Sequence, residues 1–180
     1  MLLIILKEIK NIVFYGDSWM DNDAFRNSWK DYNATFKVKG SAGASYFLGI
    51  NSSMPLDNED KIETVADAQV IFVELGLNEW AFDTDKTGQE TDYSKMLDNI
   101  RIASPDIPIV VSRPPRVAKH CANATQLNDR VENIAKYVKE YCESHDKFIY
   151  VDTVSCLLDS DNFLKTDFVD ASGDGFHIKH

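Results

Sequence analysis

Two short stretches at opposite ends of the 180-residue chain carry side chains that could act together. Near the start, Ile12-Val13-Phe14-Tyr15 runs into Gly16-Asp17-Ser18-Trp19; near the end, Asp174-Gly175-Phe176-His177 sets a carboxylate three residues before an imidazole. A serine hydroxyl is a weak nucleophile until an adjacent base takes its proton, and that base needs a third group to fix its tautomer. Asp174 on Nδ1 of His177 would leave Nε2 to face Ser18. Each stretch alone has a plainer explanation. Asp17-Ser18 suits the cap of a following helix, and Asp-x-x-His suits a surface turn. Only the combination points to nucleophilic catalysis.

Two further blocks lie between them: Lys39-Gly40-Ser41-Ala42-Gly43-Ala44-Ser45 and Gly76-Leu77-Asn78-Glu79. In this order the four blocks resemble the SGNH, or GDSL-type, hydrolase superfamily over residues 12–177. Three positions depart from its pattern: no asparagine precedes Gly40, Glu79 replaces the more usual aspartate, and Ile178 stands where a proline often follows the histidine. The resemblance implies a three-layer α/β/α fold of flavodoxin-like appearance with about five strands. It implies a serine ester hydrolase working through an acyl-enzyme, with Ser18, His177 and Asp174 as triad. The oxyanion would be met by the N–H groups of Ser18 and Gly43 and by the Asn78 amide, with no metal or other cofactor.

The elements that must position these residues can be read from pattern. Ile12 to Gly16, Thr35 to Lys39, Val70 to Leu75, Ile107 to Val111 and Phe148 to Asp152 are short β-rich apolar runs. Trp19 to Lys30 reads as a loop and short helix, and Asp57 to Ala66 as a short amphipathic helix. Thr87-Gly88-Gln89-Glu90 has the form of a capping box, followed by Tyr93, Met96, Leu97 and Ile100 at helical spacing. The longest helix starts at Asn123 and carries Leu127, Val131, Ile134, Val138, Tyr141 and Cys142 on one face. Strands alternating with helices predict a mostly parallel sheet with helices on both faces. Pro114-Pro115 predicts a stiff loop at the rim that should hold the site.

Length and composition suit one domain over residues 1–180. A net charge of −10 argues against nucleic acid or an anionic membrane as partner. Cys121, Cys142 and Cys156 lack metal-ligand spacing and read as reduced thiols. Asp17, Asp21 and Asp23 lack the glycine and closing glutamate of a calcium loop, so no metal site is expected. Met1 to Leu6 is too short for a signal-peptide core and no membrane span is seen, which leaves the cytoplasm as the default compartment. Trp19, Tyr46, Trp80 and Phe82 flank the blocks and are candidates for a substrate rim. With no long apolar lid in view, the expected substrate is a short-chain or acetyl ester, carbohydrate O-acetyl groups included. A non-catalytic glycan-binding module and an O-acyltransferase are the alternatives.

Overall fold

The computed structural model describes residues 9–78, 86–170 and 172–178. Five strands form one sheet: β1 (Asn11–Gly16), β2 (Asn33–Val38), β3 (Val70–Glu74), β4 (Ile109–Ser112) and β5 (Phe148–Val151). Their order is β2-β1-β3-β4-β5 and every pairing is parallel. All the strand tips that precede the site blocks therefore point the same way. Between them run α1 (Asp23–Ser28), α2 (Ala44–Phe47), α3 (Lys86–Ala103) and α4 (Ala124–Ser144).

Side chains alternate across a strand, so the apolar runs supply two buried faces. On one, Val13, Tyr15, Ile71, Val73, Ile109 and Val111 pack against Tyr93, Met96, Leu97 and Ile100 of α3 and Ile134, Val138 and Tyr141 of α4. The spacing of those helix residues is the three-and-four pattern that makes one apolar stripe. On the opposite face Ile12, Phe14, Val38 and Val70 meet Phe25 of α1 and Trp29 at its C-cap. Phe14 is the centre of that second cluster. Its ring stacks on Phe36 and Phe72 at 5.2 and 5.5 Å and meets Phe25 edge-on at 5.3 Å.

The expected helix over Asp57 to Ala66 does not form; only a 3₁₀ turn at Asn58–Asp60 is present. The cause is a buried lysine on β2. Lys37 is 2 % exposed, and its ammonium donates to the carbonyls of Glu59 and Lys61 at 2.8 and 2.7 Å and to Glu63 at 3.3 Å. A buried charge needs its donors filled, and these carbonyls are bent toward Lys37 instead of continuing a helical ladder.

At the tip of β3, Glu74 sits opposite Gly16 of β1 and is buried, and neither carboxylate oxygen has a hydrogen-bond partner. Burial, with the Asp17 charge next in weight, pushes its carboxyl well above the usual range. The folded chain thus keeps a proton that the unfolded chain releases above about pH 4.3. The resulting stability is full below that pH and declines as pH rises.

Two measurements test this packing. Phe14→Ala should lower the free energy of unfolding in urea by about 3–5 kcal/mol, the usual cost of a phenylalanine-sized cavity. In wild type, stability should fall from pH 5 upward, and Glu74→Gln should make that slope shallower by up to one proton, about 1.4 kcal/mol per pH unit. Identical slopes would show that Glu74 is already ionised in the fold.

Candidate active site

Ser18 lies two residues past β1, in a turn built by the residue before it. The Asp17 carbonyl accepts from Met20 N at 3.0 Å and Asp21 N at 2.9 Å, and its Oδ1 accepts from Trp19 N at 2.9 Å. Asp17 therefore caps this turn, whereas α1 starts later and is capped by Asn22 onto Phe25 N. Gly16 lies in close approach to Met20: a Cβ there would come 2.6 Å from Met20 Sδ and 3.2 Å from its Cβ, so the methionine side chain would have to move.

His177 arrives on a loop with no regular structure, held from several sides. Trp19 Nε1 donates to Phe176 O at 3.0 Å, Ala118 N to Gly175 O at 2.8 Å and Asp170 N to His177 O at 2.9 Å. Gly175 has φ +84°, and a Cβ on it would crowd Cys121 Cβ at 3.1 Å and His120 Nε2 at 3.3 Å. His120 itself lies 3.1 Å from the Gly173 carbonyl. The left-handed turn lets Asp174 fold back, so that its Oδ1 accepts from Phe176 N and His177 N at 2.8 and 3.0 Å.

These two segments bring the three side chains into line. His177 Nδ1 lies 2.6 Å from Asp174 Oδ2, and His177 Nε2 lies 3.0 Å from Ser18 Oγ. Partial burial works against the Asp174 charge, but the two backbone N–H groups and the imidazole outweigh it and hold this carboxyl well below the usual range. Asp174 is thus an anion across the working pH range, suited to fix Nδ1–H and stabilise an imidazolium.

Asn78 follows β3 and its side-chain amide nitrogen is fully engaged. Nδ2 donates to Asp17 Oδ2 at 2.8 Å and to the Ala42 carbonyl at 3.0 Å, which uses both amide hydrogens. The Ala42 carbonyl belongs to the peptide that carries the Gly43 N–H. Gly43 is buried and precedes α2. Among the described residues no group accepts from Ser18 N or Gly43 N, so both of these donors are free.

Asp17 was legible only as a cap, yet it is fully buried and touches both the nucleophile turn and Asn78. Burial pushes its carboxyl up to about 7, opposed by the Trp19 N–H and by the charge of His177. The signal available in the sequence was a carboxylate at the tip of a fully apolar strand. Asp21 instead accepts from Gly40 N and Arg26, and among the described residues no three metal-ligating side chains converge.

The aromatic rim needs correction. Tyr46 is fully buried and its hydroxyl donates to Asp60 Oδ2 at 2.6 Å, so its ring belongs to the core. Trp19 is also buried; its indole ties the Ser18 and His177 segments together and walls a cavity of about 300 Å³ beside Phe14, Phe25 and Trp29. Trp80 and Phe82 lie outside the described residues, as do Glu79 and the Met1 to Leu6 stretch. No described helix is long and apolar enough to cross a membrane.

Comparison with solved structures finds the same fold at low identity. An extracellular lipase from Streptomyces rimosus superposes with a TM-score of 0.65 at 12 % identity, covering 94 % of this chain and 92 % of that one. A GDSL-like lipase from Bacteroides thetaiotaomicron gives 0.65 at 13 %, covering 96 % and 82 %. A family two carbohydrate esterase from Clostridium thermocellum, solved in complex with cellohexaose, gives 0.53 at 16 % over 81 % of this chain and 54 % of that one. No curated protein matches the sequence. The profile of the GDSL-like lipase/acylhydrolase family matches residues 14–179, a span that starts within β1 and takes in Ser18, Gly43, Asn78 and His177. The chain therefore belongs to the GDSL-like lipase/acylhydrolase family of serine hydrolases, with the five-stranded parallel sheet of that fold.

Proposed function

We propose that this chain hydrolyses short-chain or acetyl carboxylic esters through a Ser18–His177–Asp174 triad. The observation that carries the reading is the line of hydrogen bonds from Ser18 Oγ through both nitrogens of His177 to Asp174, at 3.0 and 2.6 Å. His177 Nε2 takes the hydroxyl proton as Ser18 Oγ adds to the acyl carbonyl, and Asp174 stabilises the imidazolium. His177 then protonates the departing alcohol. Water, deprotonated by the same nitrogen, cleaves the acyl-enzyme and regenerates Ser18.

The oxygen of the tetrahedral intermediate is received first by the two free donors, Ser18 N–H and Gly43 N–H. In this reading Asn78 keeps its two amide hydrogens on Asp17 Oδ2 and the Ala42 carbonyl and serves the site by holding the Ala42–Gly43 peptide. For the alcohol portion of the ester, the carbohydrate esterase among the structural neighbours supports a sugar.

Release of p-nitrophenol from p-nitrophenyl acetate should exceed that of Ser18→Ala by a factor on the order of 10⁴ or more. A folded wild type no faster than Ser18→Ala would remove the proposal. Within a p-nitrophenyl series the acetate and butyrate should turn over faster than the palmitate; the reverse order would reassign the substrate to long-chain esters.

A further inference from the structure

The triad accounts for Ser18, His177 and Asp174, but it gives no role to the most buried carboxylate of the site. Asp17 is fully buried, directly precedes the nucleophile, and accepts two hydrogen bonds that run in different directions. One goes to its own turn. Of the four N–H groups that follow Asp17, those of Trp19, Met20 and Asp21 are bonded to its side chain or carbonyl. The Ser18 N–H alone is left without an acceptor among the described residues.

The other bond crosses to β3. Asp17 Oδ2 fixes one hydrogen of Asn78 Nδ2, which turns the second hydrogen onto the Ala42 carbonyl. A peptide group is planar and trans, so holding the Ala42 oxygen also fixes the direction of the Gly43 N–H on the far side of the same plane. Both free donors are thus set by one carboxylate, the first through the turn and the second through Asn78.

From this geometry we infer that Asp17 is the positioning residue of the oxyanion site, orienting the Ser18 N–H directly and the Gly43 N–H through Asn78. The inference rests on the ester-hydrolase reading above. It does not require Asp17 to touch substrate or exchange a proton. Asp17 is instead a fixed acceptor, held in place because both of its oxygens are engaged in a buried setting where an unmade bond is costly.

A double-mutant cycle between Asp17→Ser and Asn78→Ala tests it. A serine at position 17 can still accept from Trp19 N in a local turn but is too short to reach Asn78. Asp17→Ser should lower kcat on p-nitrophenyl acetate about 10²-fold with KM within about threefold of wild type, a loss of the size expected for one misplaced oxyanion donor. Because both substitutions act through the same peptide, the double variant should be no slower than Asn78→Ala alone. Asp17→Asn, nearly isosteric but with an amide opposed to the Asn78 amide, should show the same kcat loss while retaining the native circular dichroism spectrum. Losses that multiply in the cycle, or an Asp17→Asn variant with wild-type kcat, would overturn the inference. A wild type no faster than Ser18→Ala would instead overturn the hydrolase reading itself.

Discussion

A hydroxyl and an imidazole that lie 159 residues apart in the chain must sit within one hydrogen-bond length of each other, and most of the structure serves that constraint. Ser18 lies two residues past β1, which is paired on both sides by β2 and β3, so the tip before it is fixed by the sheet. The histidine has no strand beneath it. It is held by the Trp19 indole, the Ala118 and Asp170 amides, and a small apolar cluster of Ala118, Leu164 and Val169 with Leu157 and Ile178 packed on it. The direct bond from Trp19 to Phe176 links the residue after Ser18 to the residue before His177.

Three carboxyls near this point behave differently, and position explains each. Asp174 is half-buried and collects two backbone N–H groups and an imidazole, which keep it ionised. Asp17 is buried but accepts from Trp19 N and Asn78, and its carboxyl is pushed up only to about 7. Glu74 is buried with no partner and beside the Asp17 charge, so it holds its proton. One type of group is thus held as an anion at Asp174, pushed up to about 7 at Asp17 and kept neutral at Glu74, according to the donors that surround it.

Low identity to the solved neighbours, 12–16 %, alongside shared architecture follows from how little of the chain is chemically specified. Strands of a parallel sheet need apolar side chains on both faces but tolerate many combinations of them. The positions with no such latitude are few. Gly16 is pressed against Met20 and Gly175 adopts a left-handed turn against Cys121, so neither accepts a side chain without displacement.

By itself the sequence determined the elements and their sites. Apolar runs ending at Gly16, Gly76 and Val111 marked strand tips, the stripe on α4 marked a core helix, and the order of four short blocks marked the family. These are local signals, carried by period and by turn chemistry. Tertiary structure decided everything that depends on a partner far along the chain. Lys37 undoes the helix expected over Asp57 to Ala66 because carbonyls of that segment complete its buried ammonium. Tyr46 and Trp19, which beside the site blocks looked like rim residues, are drawn inside by Asp60 and by Phe176. Asn78 is engaged by Asp17 and Ala42, and Asp17 turns from a simple cap into the link between the Ser18 turn and Asn78. Burial and long-range hydrogen bonding have no periodic trace in a sequence, so these assignments exist only once the chain is folded.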